Sequence, residues 1–181
     1  MNIEGSLREL GPVDSTTLAE TILAQGEDAW KANQYRQQAY AVHTHTESLV
    51  MIFCDGWPQV EVTREAAWET LKDTAVPVMH HIIESFYPPG GTIIRAMAAK
   101  LKAGGIIAPH RDTHQTFVHS HRIHIPISTN PGVRFMINGR PHRFQVGNAY
   151  EINNQKNHSV MNSGTEDRIT FIFDYKPAKD A

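Results

Sequence analysis

Residues 130–175 have the sequence NPGVRFMINGRPHRFQVGNAYEINNQKNHSVMNSGTEDRITFIFDY, and this stretch decides the fold. Short runs of apolar and β-branched residues alternate in it with turn-forming groups, of which Asn130-Pro131-Gly132, Asn138-Gly139 and Ser163-Gly164 are the clearest. An Asn-Gly pair between two such runs favours a two-residue hairpin, because both residues tolerate the left-handed backbone of that turn. The stretch is therefore predicted to form short strands joined by tight turns.

The same alternation of short apolar runs and turns begins near residue 92. Strands are predicted near 93–101, 105–109, 121–128, 132–137, 142–145, 148–152, 157–163 and 167–175. Short strands at such close spacing are typical of a barrel or of the two facing sheets of a jelly roll. We therefore predict a mainly β fold with N-terminal helices, in which the β part is a jelly roll.

Residues 1–91 are predicted to form a mostly helical N-terminal layer with one early strand. Three helices are predicted, over 16–25 (TTLAETILAQ), 27–36 (EDAWKANQYR) and 63–87 (TREAAWETLKDTAVPVMHHIIESFY). Pro77 removes a backbone donor from the last of these and is expected to kink or split it. The early strand is predicted over 43–53 (HTHTESLVMIF), where β-branched and apolar residues are frequent. With a jelly-roll catalytic core over 92–176, the chain is expected to form a single domain over 1–181.

The overall composition argues against several classes of protein. The chain has 181 residues, of which 40% are hydrophobic and 20% charged, with a formal net charge of −2. A protein that binds nucleic acid by neutralising phosphates usually has a basic excess, which this chain lacks. No apolar stretch approaches the roughly 20 residues that a membrane-spanning helix needs, and the first ten residues lack the pattern of a signal peptide. We therefore expect a cytoplasmic protein that binds neither nucleic acid nor membrane.

Histidine is unusually frequent in the predicted strand region. The chain has 11 histidines, and seven of them lie between residues 110 and 158. These seven are His110, His114, His119, His121, His124, His142 and His158. Because histidine is the commonest metal ligand and the usual proton shuttle near neutral pH, we expect the chemistry in this region.

A metal site is predicted from His110 and Asp112, which follow the apolar run GGIIAP. Residues i and i+2 of an extended segment point to the same side, so both side chains can face one ion. His158 is the best candidate for a third ligand, since it precedes another apolar strand. His124 is a rival, but its neighbour Arg122 makes that pair better suited to an anion. Two histidines and one carboxylate on one octahedral face are the pattern of Fe(II) oxygenases, although zinc accepts the same ligands.

A second site, for an anion, is predicted from arginine residues on the strands. Arg168 lies ten positions after His158, a distance that allows a turn at Ser163-Gly164 and a return strand beside the metal ligands. Arg122 and His124 form another pair at i and i+2. Arginine suits a dicarboxylate because its planar fork binds a carboxylate through two hydrogen bonds. An unpaired cation on a barrel-lining strand would otherwise be costly.

Two other classes of protein stay open at this point. A cupin-type metalloenzyme uses similar ligands with zinc, manganese or nickel, but it does not need paired arginines. A non-catalytic jelly-roll binding module does not need an open metal face. Arg122 and Arg168 argue against the first alternative, and the three predicted ligands argue against the second.

The order of these motifs resembles the aspartyl/asparaginyl β-hydroxylase family. The resemblance is carried by GGIIAPHRD (104–112), HRIHIPI (121–127) and the long stretch 130–175, and it covers about residues 92–176. It implies a double-stranded β-helix that uses Fe(II), O2 and the cosubstrate 2-oxoglutarate to hydroxylate a C–H bond. The residue roles that it implies are His110 and His158 as iron ligands, with Asp112 completing the triad, and Arg122, His124 and Arg168 as 2-oxoglutarate contacts, Arg168 on the distal carboxylate.

The sequence departs from the family pattern at several positions. Some vertebrate members have glycine where this chain has Asp112, and they have a serine near the cosubstrate where we align Ala99. Met97 and Ser120 occupy two positions at which the aspartyl enzymes place basic substrate-binding residues. Because the family also includes bacterial enzymes that hydroxylate free proline, the substrate is expected to be an amino acid, free or in a peptide.

Substrate contacts are expected at the mouth of the barrel. The candidates are His43 and His45 on the early strand, Arg95, and the polar segment 111–121, which is a candidate lid. The expected partner is therefore a small molecule or a peptide.

Overall fold

The structure of the protein is a computed structural model that describes residues 3–32 and 44–178. The helices of this part of the chain are α1 (Thr16–Leu23), α2 (Glu27–Lys31), α3 (Trp68–Phe86) and α4 (Gln115–Val118). Its strands are β1 (Leu7–Pro12), β2 (Thr46–Asp55), β3 (Glu61–Arg64), β4 (Thr92–Leu101), β5 (Ile106–His110), β6 (His121–Ser128), β7 (Val133–Ile137), β8 (Arg140–His142), β9 (Asn148–Ile152), β10 (His158–Asn162) and β11 (Arg168–Lys176).

These strands form two antiparallel sheets. The larger sheet has the order β1-β9-β6-β11-β4-β2-β3, and the smaller sheet has the order β5-β10-β7-β8. Side chains of the two sheets meet between them, since Phe135 of β7 contacts His124 of β6 with ring centroids 5.7 Å apart. This arrangement is a jelly roll, and it confirms the predicted fold class.

The helices cover the face of the larger sheet that points away from the smaller one. Ile123 and Ile125 of β6 are buried in one cluster with Phe171 and Phe173 of β11 and with apolar residues of α1 and α3. Because side chains alternate along a strand, the even-numbered residues of β6 and β11 point into the space between the sheets. The polar residues among them include Arg122, His124, Arg168, Thr170 and Asp174.

A second apolar cluster lies between the two sheets. It contains Phe135 and Val160 of the smaller sheet together with Phe144 and Tyr150. The Phe144 ring stacks on Phe135 and on Tyr150, with centroid distances of 4.8 and 4.5 Å. The interior of the jelly roll therefore has an aromatic part, against which polar side chains of the site pack.

The predicted turn at Asn138-Gly139 is confirmed. The two residues have φ values of 50° and 76°, and Ile137 lies opposite Arg140 in the β7–β8 pair. Because a turn of two residues returns the chain to the ladder at once, β8 spans Arg140–His142, and the predicted strand over 142–145 is wrong. The other seven strands that the sequence predicts after residue 92 are present, with ends that differ by at most one residue.

The N-terminal layer contains three strands in its described residues, where one was predicted. The additional strands are β1, which pairs with β9, and β3, which pairs with β2. Both extend the larger sheet at its edges, so their formation depends on partners that the local sequence does not contain. The predicted early strand is present as β2, beginning at Thr46.

The long predicted helix over 63–87 begins later than expected, at Trp68. The backbone amides of Glu65 and Ala67 donate to carbonyl groups of β2, which holds the preceding segment on the sheet. Pro77 does not split the helix, because α3 continues through it. Of the helix predicted over 27–36, the described part is α2, and residues 33–36 lie outside the described residues.

Candidate metal centre and anion site

Three candidate metal ligands meet where the smaller sheet ends. His110 is the last residue of β5 and His158 the first of β10, and the two lie directly opposite each other in the antiparallel pair. Asp112 follows two residues later, where its backbone amide donates to the carbonyl of Asn154. One ligand atom from each of His110, Asp112 and His158 lies within 4.8 Å of the others. The structure therefore brings the predicted triad together.

Both imidazole rings are oriented by backbone carbonyl groups. His110 Nδ1 lies 2.8 Å from the carbonyl oxygen of Ala108, and His158 Nδ1 lies 3.0 Å from that of Lys156. A carbonyl oxygen only accepts, so each Nδ1 carries the proton and each Nε2 presents its lone pair, as metal-binding histidines require. Burial lowers the pKa of His158, which keeps that ring neutral near pH 7.

The Asp112 carboxylate is held so that its two oxygens differ. Oδ2 accepts hydrogen bonds from Arg122 Nη1 at 2.8 Å and from Asn154 Nδ2 at 3.2 Å. Oδ1 faces His110 Nε2 at 3.8 Å. Burial alone would raise the pKa of Asp112, but the charge of Arg122 and the hydrogen bond from Asn154 lower it below its ordinary value. The group is therefore an anion with one oxygen directed toward the two imidazoles.

Arg122, a predicted cosubstrate contact, is bonded to two carboxylates. Its Nε and Nη2 donate to Asp174 Oδ1 and Oδ2, both at 2.8 Å, while Nη1 donates to Asp112. Burial opposes the charged form of Arg122, but Asp174 and Asp112 outweigh it and raise its pKa. Three of its donors already have partners, so the structure places Arg122 beside the metal ligand as a partner of Asp112.

Arg168 and His124, the other two predicted cosubstrate contacts, are buried without such partners. The Arg168 side chain forms no hydrogen bond or ion pair with any residue that the structure describes, and it is only 5% exposed. Burial lowers its pKa to about 10, so it is still a cation at neutral pH. Both ring nitrogens of His124 are buried without a hydrogen-bond partner among the described residues. Burial, followed by the charge of Arg168, lowers the pKa of His124 well below its usual range, so the ring is neutral.

One aromatic ring, that of Phe135, lies near both a candidate metal ligand and Arg168. The Phe135 ring lies 6.3 Å from that of His158 and 5.7 Å from that of His124, measured between centroids. Arg168 Cζ lies 5.9 Å from the centre of the same ring. Arg168 also borders a cavity of about 420 Å³, together with Phe135, His142, Arg143 and Phe144. The predicted anion site and the predicted metal site are therefore neighbours inside one jelly roll.

Two further polar residues line the interior, in addition to the predicted site residues. Ser48 of β2 and Thr170 of β11 lie opposite Ala99 on its two sides in the sheet. Both hydroxyl oxygens are buried without a hydrogen-bond partner among the described residues. The alternation of side chains along β11 places Thr170 on the same face as Arg168. That alternation was the available signal, whereas the pairing of β2 with β4 is visible only in the folded chain.

Three residues were predicted to contact the substrate: His43, His45 and Arg95. His45 is exposed and its Nδ1 lies 3.3 Å from the carbonyl oxygen of Ile106, at the far end of β5 from His110. Four residues of strand correspond to roughly 13 Å, so His45 does not join the metal site. His43 lies outside the described residues.

Arg95 is buried beneath the segment that was predicted to be a lid. Its Nη2 donates to Thr116 Oγ1 at 2.9 Å, and its Nη1 lies 3.6 Å from Asp174 Oδ2. Thr116 belongs to α4, within the predicted lid segment 111–121. Arg95 therefore holds this segment on the sheet from the interior, and its contact with a substrate stays a prediction.

The sequence matches one family model over most of its length. This model describes aspartyl/asparaginyl β-hydroxylases and matches residues 17–177. None of the curated proteins matches the sequence.

Solved structures share the fold at low sequence identity. A 2OG-Fe(II) oxygenase family oxidoreductase from Burkholderia pseudomallei is 13% identical, with a TM-score of 0.57 over 97% of this chain and 92% of that one. The non-heme monooxygenase ThoJ in complex with nickel is also 13% identical, with a TM-score of 0.56 over 94% of this chain and 73% of that one.

Within the described residues, no helix combines the length and the apolar character that crossing a bilayer requires.

Proposed function

The chain belongs to the aspartyl/asparaginyl β-hydroxylase family, and on that premise we propose that it is an Fe(II)- and 2-oxoglutarate-dependent dioxygenase. It hydroxylates a C–H bond of an amino acid, free or within a peptide. The observation that carries this proposal is the pairing of the triad His110, Asp112 and His158 with an unpaired buried arginine, Arg168, in one interior.

The donor set of the triad fits Fe(II). Two neutral imidazole nitrogens and one carboxylate oxygen match the facial triad of non-haem oxygenases, which leaves coordination positions for other ligands. Bound iron supplies the activation of O2, with 2-oxoglutarate as the source of two electrons. The protein's part is to direct Nε2 of His110 and of His158 toward the ion and to hold Asp112 as an anion.

The interior also fits a carboxylate of the cosubstrate. Arg168 is a buried cation without a counter-ion among the described residues, and Ser48 and Thr170 offer unpaired hydroxyl groups on the same side of the sheet. An unsatisfied buried polar group costs about 1–3 kcal/mol, so a ligand that accepts these donors recovers that free energy. We assign Arg168 to the distal carboxylate of 2-oxoglutarate, with Ser48 and Thr170 in place of the serine that Ala99 replaces.

His124 completes the polar lining between Arg168 and the metal ligands. Because its pKa is lowered well below the usual range, the neutral ring can donate to an oxygen of the cosubstrate without adding charge. Arg122 is not assigned to the cosubstrate, since it is bonded to Asp112 and Asp174. A cupin-type metalloenzyme that uses no oxoacid would leave Arg168 without a ligand, which is why we favour the dioxygenase.

We expect a free amino acid such as proline to be a better substrate than an aspartyl peptide. The positions aligned with basic substrate-binding residues hold Met97 and Ser120, both buried. The nearby cations Arg95 and Arg122 are bonded within the protein. An acidic side chain would therefore enter a site with little free positive charge.

The experiment is anaerobic loading with Fe(II), followed by turnover with 2-oxoglutarate and O2 across a panel of substrates. The panel contains proline, asparagine, aspartate and short peptides with Asp or Asn, and each reaction is followed by succinate formed and by a single added oxygen in the mass spectrum. Hydroxylation confined to the acidic peptides would overturn the preference for a free amino acid. No coupled succinate formation with the full panel, under conditions that give metal-loaded protein, would count against the dioxygenase itself.

The Thr170→Val substitution separates stability from cosubstrate binding. Valine keeps the branched shape but removes the unpaired hydroxyl, so the protein without 2-oxoglutarate should be more stable, by about 1 kcal/mol or 2–4 °C in Tm. The same variant should bind 2-oxoglutarate about tenfold more weakly, because a hydrogen bond to a charged group is lost. Thermal melts with and without 2-oxoglutarate measure both effects, and metal affinity should not change. A variant with unaltered 2-oxoglutarate affinity would remove Thr170 from the site.

A further inference from the structure

We propose that Asp174 is a positioning residue for the metal: acting through Arg122, it fixes which oxygen of Asp112 faces the ion. Asp174 is 0% exposed and belongs to β11, on the strand next to Arg122. It contacts none of the three candidate ligands. The inference rests on the proposed function only in requiring that the metal binds at His110, Asp112 and His158.

The geometry of Arg122 is determined by Asp174. Two parallel hydrogen bonds, from Nε and Nη2 to the two carboxylate oxygens, are both 2.8 Å long. Since a guanidinium is planar and rigid, two bonds along one edge fix both the plane of the group and the direction of its third nitrogen. That third nitrogen, Nη1, then donates to Asp112 Oδ2 at 2.8 Å.

Asp112 depends on this support because it lies beyond the end of β5. Its backbone is held by the carbonyl of Asn154 and by the Gln155 side chain, whose Nε2 donates to the Asp112 carbonyl at 2.7 Å. Its carboxylate is held at Oδ2 by Arg122 and by Asn154. With Oδ2 engaged twice, Oδ1 is the oxygen left to bind a metal as a single donor. Without a fixed Arg122, the Asp112 carboxylate can rotate, and Oδ1 is no longer held as the oxygen that faces the metal.

The same carboxylate also connects the metal ligand to the segment over the site. Arg95 lies 3.6 Å from Asp174 and donates to Thr116 in α4. Both cations also lie close to the Phe117 ring, with Arg95 Cζ at 4.3 Å and Arg122 Cζ at 4.5 Å from its centre. Asp174 is therefore the anionic partner of both arginines. Its removal affects Arg122 directly, and it affects α4 through Arg95 and Thr116.

Asp174→Asn tests the inference through metal affinity, measured by anaerobic titration with Co(II) and by competition with Fe(II). Partners that orient metal ligands typically change affinity by 10- to 100-fold, and we expect a loss in that range. The matched control is Glu151→Gln, which neutralises another buried carboxylate of the same sheet, bonded to Tyr87 and His121. Glu151→Gln should leave the Co(II) affinity within about threefold of the wild type.

A charge-neutral variant distinguishes orientation from simple loss of charge. Arg122→Gln together with Asp174→Asn removes one positive and one negative charge and should weaken Co(II) binding by a similar factor. In an Asp112→Ala background the same pair of substitutions should have less than a threefold effect, because no carboxylate is left to orient. If the charge-neutral variant binds Co(II) like the wild type, Asp174 acts by charge alone and the inference is wrong.

Two outcomes separate this inference from the proposed function. Unchanged Co(II) affinity in Asp174→Asn, with binding still lost in His158→Ala, overturns the role of Asp174 and leaves the metal site in place. Unchanged affinity in His158→Ala means that the metal binds elsewhere, which overturns the proposed site itself. If Asp174→Asn does not fold, Arg122→Lys keeps the charge but loses the planar fork. It is expected to weaken Co(II) binding only when Asp112 is present.

Discussion

His158→Ala is expected to abolish both metal binding and the coupled formation of succinate and hydroxylated product. His158 is buried, begins β10 opposite His110, and has its Nε2 directed by the bond from Nδ1 to the Lys156 carbonyl. Without His158 the site keeps a single imidazole, His110, beside Asp112, and one nitrogen donor is too few to hold a labile Fe(II) against solvent. The measurement is iron content after anaerobic reconstitution, together with succinate and product mass at saturating 2-oxoglutarate. We expect less than about one hundredth of wild-type turnover, since removing the metal removes the chemistry that side chains do not supply.

The control for His158→Ala is His81→Ala, which removes an exposed histidine of α3. It should keep full metal content and turnover. Asp112→Ala should be intermediate: family members with glycine at the aligned position imply that two histidines retain some function. Full metal occupancy in His158→Ala would direct attention to His124, the rival ligand, whose two ring nitrogens have no hydrogen-bond partner among the described residues.

The meeting of the three candidate metal ligands was predictable because their signal is local and chemical. His110 and Asp112 follow an apolar run at a spacing of two, and the structure has β5 where the alternation of strand residues predicts it. His158 required only the expectation that a strand begins there and closes the same sheet. Strands were also located well after residue 92, where turn residues mark nearly every end.

The role of Arg122 could not be predicted, because it is set by a residue far away in the sequence. Whether an arginine on a strand is free for a ligand depends on its neighbour across the sheet, and here that neighbour is Asp174. The sequence alternation places Asp174 on the interior face of β11, together with Arg168, but it does not give the pairing with β6. Ser48 was missed for the same reason, since only the alignment of β2 with β4 brings it beside Ala99.

The errors near the N-terminus have a related cause. Residues 63 and 64 were predicted to begin a helix because the following sequence is helical, but together with residues 61 and 62 they form β3, which pairs with β2. The segment 7–12 likewise becomes a strand because β9 offers it an open edge. Edge strands are determined by the sheet that they extend, and a short segment alone carries little of that information.

Arg168→Ala is expected to raise the 2-oxoglutarate concentration needed for half-maximal turnover by at least about 30-fold. Truncating one side of a buried, hydrogen-bonded charge pair typically costs about 2–5 kcal/mol, and 2 kcal/mol corresponds to a factor of about 30. The site is well shielded, since Arg168 is buried against Phe135 at the edge of the cavity. Titration of 2-oxoglutarate against succinate formation, at saturating Fe(II) and substrate, gives the shift directly.

Stability provides the second measurement for Arg168→Ala, and its sign is distinctive. In the absence of 2-oxoglutarate the variant should be at least as stable as the wild type, because Arg168 is a buried cation without a counter-ion among the described residues. Added 2-oxoglutarate should raise the Tm of the metal-loaded wild type but not that of the variant, since only a ligand that binds the folded state stabilises it. The Arg168→Ala variant should bind the metal as tightly as the wild type does.

The matched control is Arg143→Ala, which removes an exposed arginine that borders the same cavity. Its guanidinium is solvated, so its loss should change the 2-oxoglutarate requirement by less than about threefold. An unchanged requirement in Arg168→Ala, combined with a large effect in Arg143→Ala, would transfer the distal carboxylate to the open side of the cavity. Arg122 is the weaker candidate for that role, because three of its donors are bonded to Asp112 and Asp174.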